Sequence, residues 1–273
     1  LTPRWSRFWI IPRYAYEDLF SSKFMTLYFF ACFIPALVFG ILIYLLNNLS
    51  LLQSYGVTGR PPFEPNADFF FWFLQTTTGL GFLLVAFIGP SLISPDLTNN
   101  ALPLYLCRPL SRAEYVIGKT VVLAWMLSQI TWMPGLFLFL LQASLAESGW
   151  WRDNLRIAAG IFIGAWIWIL FVSLVAITLS AWVKWRAAAT GLLIGVFFFA
   201  AGFGAAINEV LETTSGSILN LPQDIQIVWQ SLLHAMPPPG DVSASTAWMA
   251  ILTVIAGCLA LLSRKVKARE VVK

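Results

Sequence analysis

Six stretches of roughly 20 apolar residues leave this chain few folds, because a helix needs about that many to cross a hydrocarbon core near 30 Å thick. They run over approximately 25–46, 69–93, 117–142, 156–182, 187–207 and 245–262. A backbone in lipid must satisfy its own hydrogen bonds, so these stretches are predicted to be helices. The expected fold class is an all-α membrane protein with six transmembrane helices. Composition agrees: 59% of the 273 residues are hydrophobic and 11% charged, against about 25% charged in an ordinary soluble domain. The last stretch is short, but Ser263 and the basic tail 263–273 can snorkel to the interface.

Ahead of the first stretch, residues 1–24 mix Trp5, Phe8, Trp9, Tyr14, Tyr16 and Phe20 with Arg4, Arg7, Arg13, Glu17 and Asp18. This pattern predicts an amphipathic helix lying on the bilayer, bent at Pro12. No small-residue cleavage site follows the arginines, so the first span is expected to be retained. An even number of spans puts both termini on one side. With that side cytoplasmic, the inside holds Arg4, Arg7, Arg13, Lys23, Arg108, Arg112, Lys119, Lys184, Arg186, Arg264, Lys265, Lys267, Arg269 and Lys273, fourteen of the 17 basic residues. The asymmetry predicts cytoplasmic termini and a multi-pass protein of a cell membrane.

Between the second and third spans lies a cytoplasmic connector, Ser94 to Lys119, carrying Asp96, Arg108, Arg112 and Glu114. A few residues suffice to join two spans, so this charged segment reads as a surface presented to a partner. Outside, the longest segment is 208–244, with Glu209, Glu212, Asp224 and Asp241 and no Lys or Arg. Ile225 to Leu233 is apolar enough for a short helix dipping toward the membrane; a solvated acidic lid is the alternative. The cysteines Cys32, Cys107 and Cys258 read as small packing residues.

In the second span, Gln75, Thr76, Thr77 and Thr78 form a polar patch in an otherwise apolar helix. Such groups face a partner helix or water, as a candidate translocation path or as hydrogen-bonding contacts between helices. Gly160-x-x-x-Gly164 and Gly191-x-x-x-Gly195 allow close helix approach. The small residues of the fifth span, with Gly191, Gly195, Gly202 and Asn208, make it the candidate dimer seam. Gly118-Lys119-Thr120 lacks the first glycine of a phosphate-binding loop, Ala113 standing there, so ATP is not expected on this chain. Lys119 is expected to anchor the third span at the interface. His234, the single histidine, excludes paired-histidine zinc chemistry and a catalytic triad within the spans; a structural hydrogen bond is its expected role. No span carries an ionisable group near its middle, so energy for transport must come from another chain.

The connector resembles that of type-2 ABC transporter permeases: Asp96 after the second span, the Leu102, Leu104, Leu106 series, Pro109-Leu110-Ser111-Arg112, then Gly118-Lys119. The six spans, the N-terminal amphipathic helix and the long outer segment extend the resemblance. It implies a two-fold assembly of permease subunits, identical or related, over two ABC ATPase subunits. ATP and magnesium would sit on the ATPases, with no cofactor in this chain, no nucleic acid and lipid around it. The implied ATPase-coupling residues are Asp96, Leu97, Asn99, Asn100, Leu104, Arg108 and Arg112, and 208–244 would correspond to outer re-entrant helices. The implied setting is an exporter in a bacterial inner membrane, and the rival function is a non-transporting membrane anchor.

Overall fold

The computed structural model describes residues 16–17, 20–48, 64–98, 112–183, 185–211, 215–236 and 242–265, with the backbone alone at 91, 93–98, 112, 113, 215 and 265. All regular structure among them is helical. The helices are α1 (Lys23–Ala31), α2 (Ile34–Asn47), α3 (Ala67–Thr98), α4 (Arg112–Ile130), α5 (Trp132–Leu145), α6 (Trp150–Asp153), α7 (Leu155–Trp182) and α8 (Arg186–Leu211). A 3₁₀ turn, η1 (Ser215–Leu219), α9 (Leu221–Leu233) and α10 (Ala244–Lys265) complete the chain. Six helical segments are long and apolar enough to cross a membrane: α1 with α2, α3 as far as Pro90, α4 with α5, α7, α8 and α10. They coincide with the six predicted stretches to within a few residues.

Prolines set several of the breaks. The first segment turns at Cys32–Phe33, and α2 restarts with a proline in its opening turn, where a missing N–H costs nothing. The third segment divides at Thr131, and Pro134 in the next turn cannot donate to the carbonyl four residues back. Pro90 leaves the Ala86 carbonyl without its helical donor. Thr190 of α8 supplies it, Oγ1 donating at 3.0 Å, and the Ser180 hydroxyl of α7 reaches the Pro90 carbonyl at 3.2 Å. With these contacts α3 continues without interruption to Thr98.

The centre of the bundle is α7, which packs against α3, α4, α5, α8, α9 and α10. Of its apolar window 72% is buried, against 17% for the first and fifth spans and 22% for the sixth. Ahead of α1, Tyr16 is fastened to the third span by Gln129, whose Nε2 donates to the phenol oxygen at 2.9 Å. The N-terminal stretch 1–15 lies outside the described residues.

The segment between the fifth and sixth spans does not lie over the bundle as a lid. Helix α9 enters it, opened by Asn220, whose side chain accepts from the Gln223 N–H at 3.3 Å, and by a proline in its first turn. Its successive turns meet those of α7 in reverse order. Leu233 fills the space beside Gly160, Trp229 that beside Gly164, and Ile225 shares a cleft wall with Trp168. Trp168 is at the midpoint of α7, so the first turn of α9 reaches halfway along the central span.

Candidate functional site

The cleft at that level has a volume of about 360 Å³ and is bounded by α3, α7, α8 and α9. Its wall is aromatic: Trp168, Phe82 and Phe197, the last two with ring centroids 4.6 Å apart. Two amides supply polarity, Gln75 from α3 and Gln226 from α9, and Gly79 opens space between them. The open side runs past Leu83 and Phe198, which are 41% and 68% exposed. A cleft of this size, mostly apolar with a few convergent amides, suits an amphipathic organic ligand.

The four candidate path residues divide. Gln75 and Thr78 line the cleft, but the threonine hydroxyls turn back onto their own helix. Thr76 Oγ1 donates to Trp72 and Phe73 carbonyls, Thr77 Oγ1 to Phe73 at 2.8 Å, and Thr78 Oγ1 to Leu74 at 2.6 Å. Each hydroxyl donates one turn back along its own helix and is not committed to a neighbouring helix, and of the three Thr78 also lines the cleft. Thr77→Val is therefore expected to leave the melting temperature of the purified protein nearly unchanged, within about 1 kcal/mol of stability. A loss of several kcal/mol would show that the hydroxyl has another partner.

The two glycine pairs have different fates. Gly160 and Gly164 receive α9 of the same chain, and the Trp229 indole donates to the Gly164 carbonyl at 3.0 Å. Beside Gly191 and Gly202 of α8 there is open space, whereas Gly195 backs onto Phe199 of its own helix. Asn208 is engaged within the chain. Its Nδ2 donates to Ser217 Oγ at 2.7 Å, and its Oδ1 accepts from the Gly216 N–H at 2.7 Å.

Of the seven coupling residues, Asp96 and Leu97 lie on the last turn of α3 and Arg112 opens α4. Asn99, Asn100, Leu104 and Arg108 lie outside the described residues. Lys119, near the start of the third span, is only 8% exposed, with its ammonium 5.7 Å from the Tyr115 ring centroid. His234 acts through its backbone. It takes the left-handed conformation, φ 56°, that ends α9, and Ala235 N–H then reaches the Gln230 carbonyl at 3.2 Å.

The far end of α9 is tied down twice, Arg156 Nε donating to the Leu232 carbonyl at 3.3 Å and Met236 N–H to Asp68 Oδ1 at 2.8 Å. Its near end holds Asp224, one of the acids of the outer segment, to which the sequence alone assigns no role. Asp224 is fully buried, and neither carboxyl oxygen has a hydrogen-bond partner among the described residues. Burial pushes the carboxyl up to about 7. A signal was available: Asp224 shares a helical face with Leu221, Ile227 and Val228, all apolar. No protein-family model matches the chain, and no curated protein is significantly similar to it.

Proposed function

We propose that this chain is the membrane-spanning permease subunit of an ATP-driven ABC transporter, an exporter of a bacterial inner membrane with both termini cytoplasmic. The observation that carries the reading is the cleft joined to α3. One unbroken helix bears Gln75 at the cleft and Asp96 at the connector, about 30 Å apart at 1.5 Å per residue. A force applied at the connector is delivered to the cleft wall without a joint between them. ATP would be bound and hydrolysed on a separate ATPase chain docked at 94–119. A second permease subunit would cover the open side of the cleft, along the faces of α3 and α8. Gly191 and Gly202 leave room there for a second backbone. Helix α9 would be the outer re-entrant element, entering the bundle to form one wall of the cavity. A ligand would shift the equilibrium between open and closed arrangements only by binding one more tightly than the other.

One observation favours a second reading, a non-transporting membrane anchor of a larger complex. Thr76 and Thr77 are not among the residues lining the cleft, and Thr78 donates its hydroxyl proton to the Leu74 carbonyl, so the threonines present no free donor along a path for a solute. Purification of tagged protein in mild detergent, with mass spectrometry of its companions and an ATPase assay, separates the two. The transporter reading expects a soluble ATPase, lost when Asp96 and Arg112 are both replaced by alanine while the permease itself remains folded. Recovery of another complex, with no ATPase, would overturn that reading and support the anchor.

A further inference from the structure

Asp224 has the strangest surroundings in the molecule. Its side chain is 0% exposed, both oxygens lack a donor, and it lies in the first turn of α9, level with the middle of α7. An ionised carboxylate in such a place costs many kcal/mol unless donors or a cation face it.

None does. On α7 the charged residue is Arg156, tied to Leu232 at the opposite end of α9. On α3 Asp68 is tied to Met236, also at that end, and Asp96 lies on the last turn at the connector. The ionisable groups of α8, Arg186 and Glu209, lie at its two termini, and η1 has none. On α10, Cys258 meets Thr178 of α7, with Arg264 and Lys265 beyond it. Both spans run the same way, so the level of Trp168 on α7 corresponds to Trp248 on α10. The side chains flanking Trp248 on adjoining turns, Ala247 and Ile251, are apolar and fully buried.

We propose that Asp224 is a proton-binding site, holding a proton while α9 is seated in the bundle and releasing it to water when the first turn of α9 leaves. The step breaks the carboxyl O–H bond, passes the proton to water or a buffer base, and leaves a carboxylate. Nothing is oxidised or reduced. The exposed carboxylate is then hydrated, which the enclosed position denies it, so each protonation state has a position of α9 that suits it. The inference stands whether or not the chain transports.

The sign follows from linkage. The seated state binds the proton more tightly, so its advantage is complete below the ordinary carboxylate range near 4 and is lost as pH rises through about 7. The test is hydrogen exchange of the full chain in detergent, with the ordinary base-catalysed rate divided out. Protection of the α9 amides is expected to fall by up to about tenfold per pH unit across that window, the limit for one proton, while α4 stays flat. Asp224→Asn, neutral at every pH, is expected to keep α9 protected with no slope and to remove the infrared carbonyl band of a protonated acid. A flat wild-type profile for α9, the same slope in Asp224→Asn, or a protonated-acid carbonyl band below neutrality that Asp224→Asn leaves unchanged would each overturn the proposal. The wild-type slope needs no variant, so the test stands even where Asp224→Asn does not fold.

Discussion

Trp229→Ala is expected to lower the stability of the purified protein by about 3–5 kcal/mol, the usual cost of emptying a buried aromatic site. The ring is 2% exposed, lies against Gly164, and forms part of the cleft wall. Its removal leaves a void where α9 meets the central span and cancels the indole bond to the Gly164 carbonyl. Trp229→Phe keeps most of the apolar contact and loses only the hydrogen bond, which sets its expected cost near 1 kcal/mol. Thermal unfolding of the two variants in the same detergent separates the terms. A melting temperature unchanged by Trp229→Ala would mean that α9 is held by something other than its seat on α7.

The second large effect is expected at Gly204. A Cβ there would collide with the carbonyl oxygen of Gly216, a backbone atom with no rotamer to escape into. Gly204→Ala is expected to push η1 off α8 and strain both bonds made by Asn208. Overpacking costs about 1–3 kcal/mol and each lost bond about 1 kcal/mol more, so a loss of roughly 3 kcal/mol or more is expected. Gly202→Ala is the matched control. Nothing lies within 4 Å of the atom it would add, and alanine is the better helix former by about 1 kcal/mol. Equal melting temperatures for the two variants would show that the Gly204–Gly216 approach is not rigid. A gain with Gly202→Ala in isolated subunits, combined with weaker self-association, would place Gly202 at a subunit seam.

Both effects depend on the segment 208–244, where local reading carried least. Hydropathy marked Ile225 to Leu233 as a short helix dipping toward the membrane but did not say which span it would meet. The α7 glycine pair was legible as a site of close approach, and its partner was not. Gly160 and Gly164 accept a helix more than sixty residues further along the same chain, and no spacing rule relates the two. Gln75 was marked as a cleft residue by being polar in an apolar helix. The threonines carried the same mark and use it differently, because a threonine hydroxyl reaches its own i−4 carbonyl and a glutamine amide does not. Asn208 carried a third version, and η1 folds back to occupy it.

What the sequence determined alone was the number, position and approximate ends of the spans. Hydropathy over about 20 residues is a local sum, and a proline acts on the turn it occupies. The excess of Lys and Arg in alternate connectors is likewise a property of order along the chain. Which face of each span is buried was left to the tertiary structure. Helices such as α3 and α8 are apolar on every side, so the period that reveals the inner face of a soluble helix is missing. Lipid and protein are nearly equivalent neighbours for leucine and phenylalanine. Packing alone made α7 the centre, brought α3, α8 and α9 together around a cleft, and enclosed Asp224 without a partner. A carboxyl's cost is decided by what surrounds it in three dimensions, and its neighbours in sequence do not disclose that.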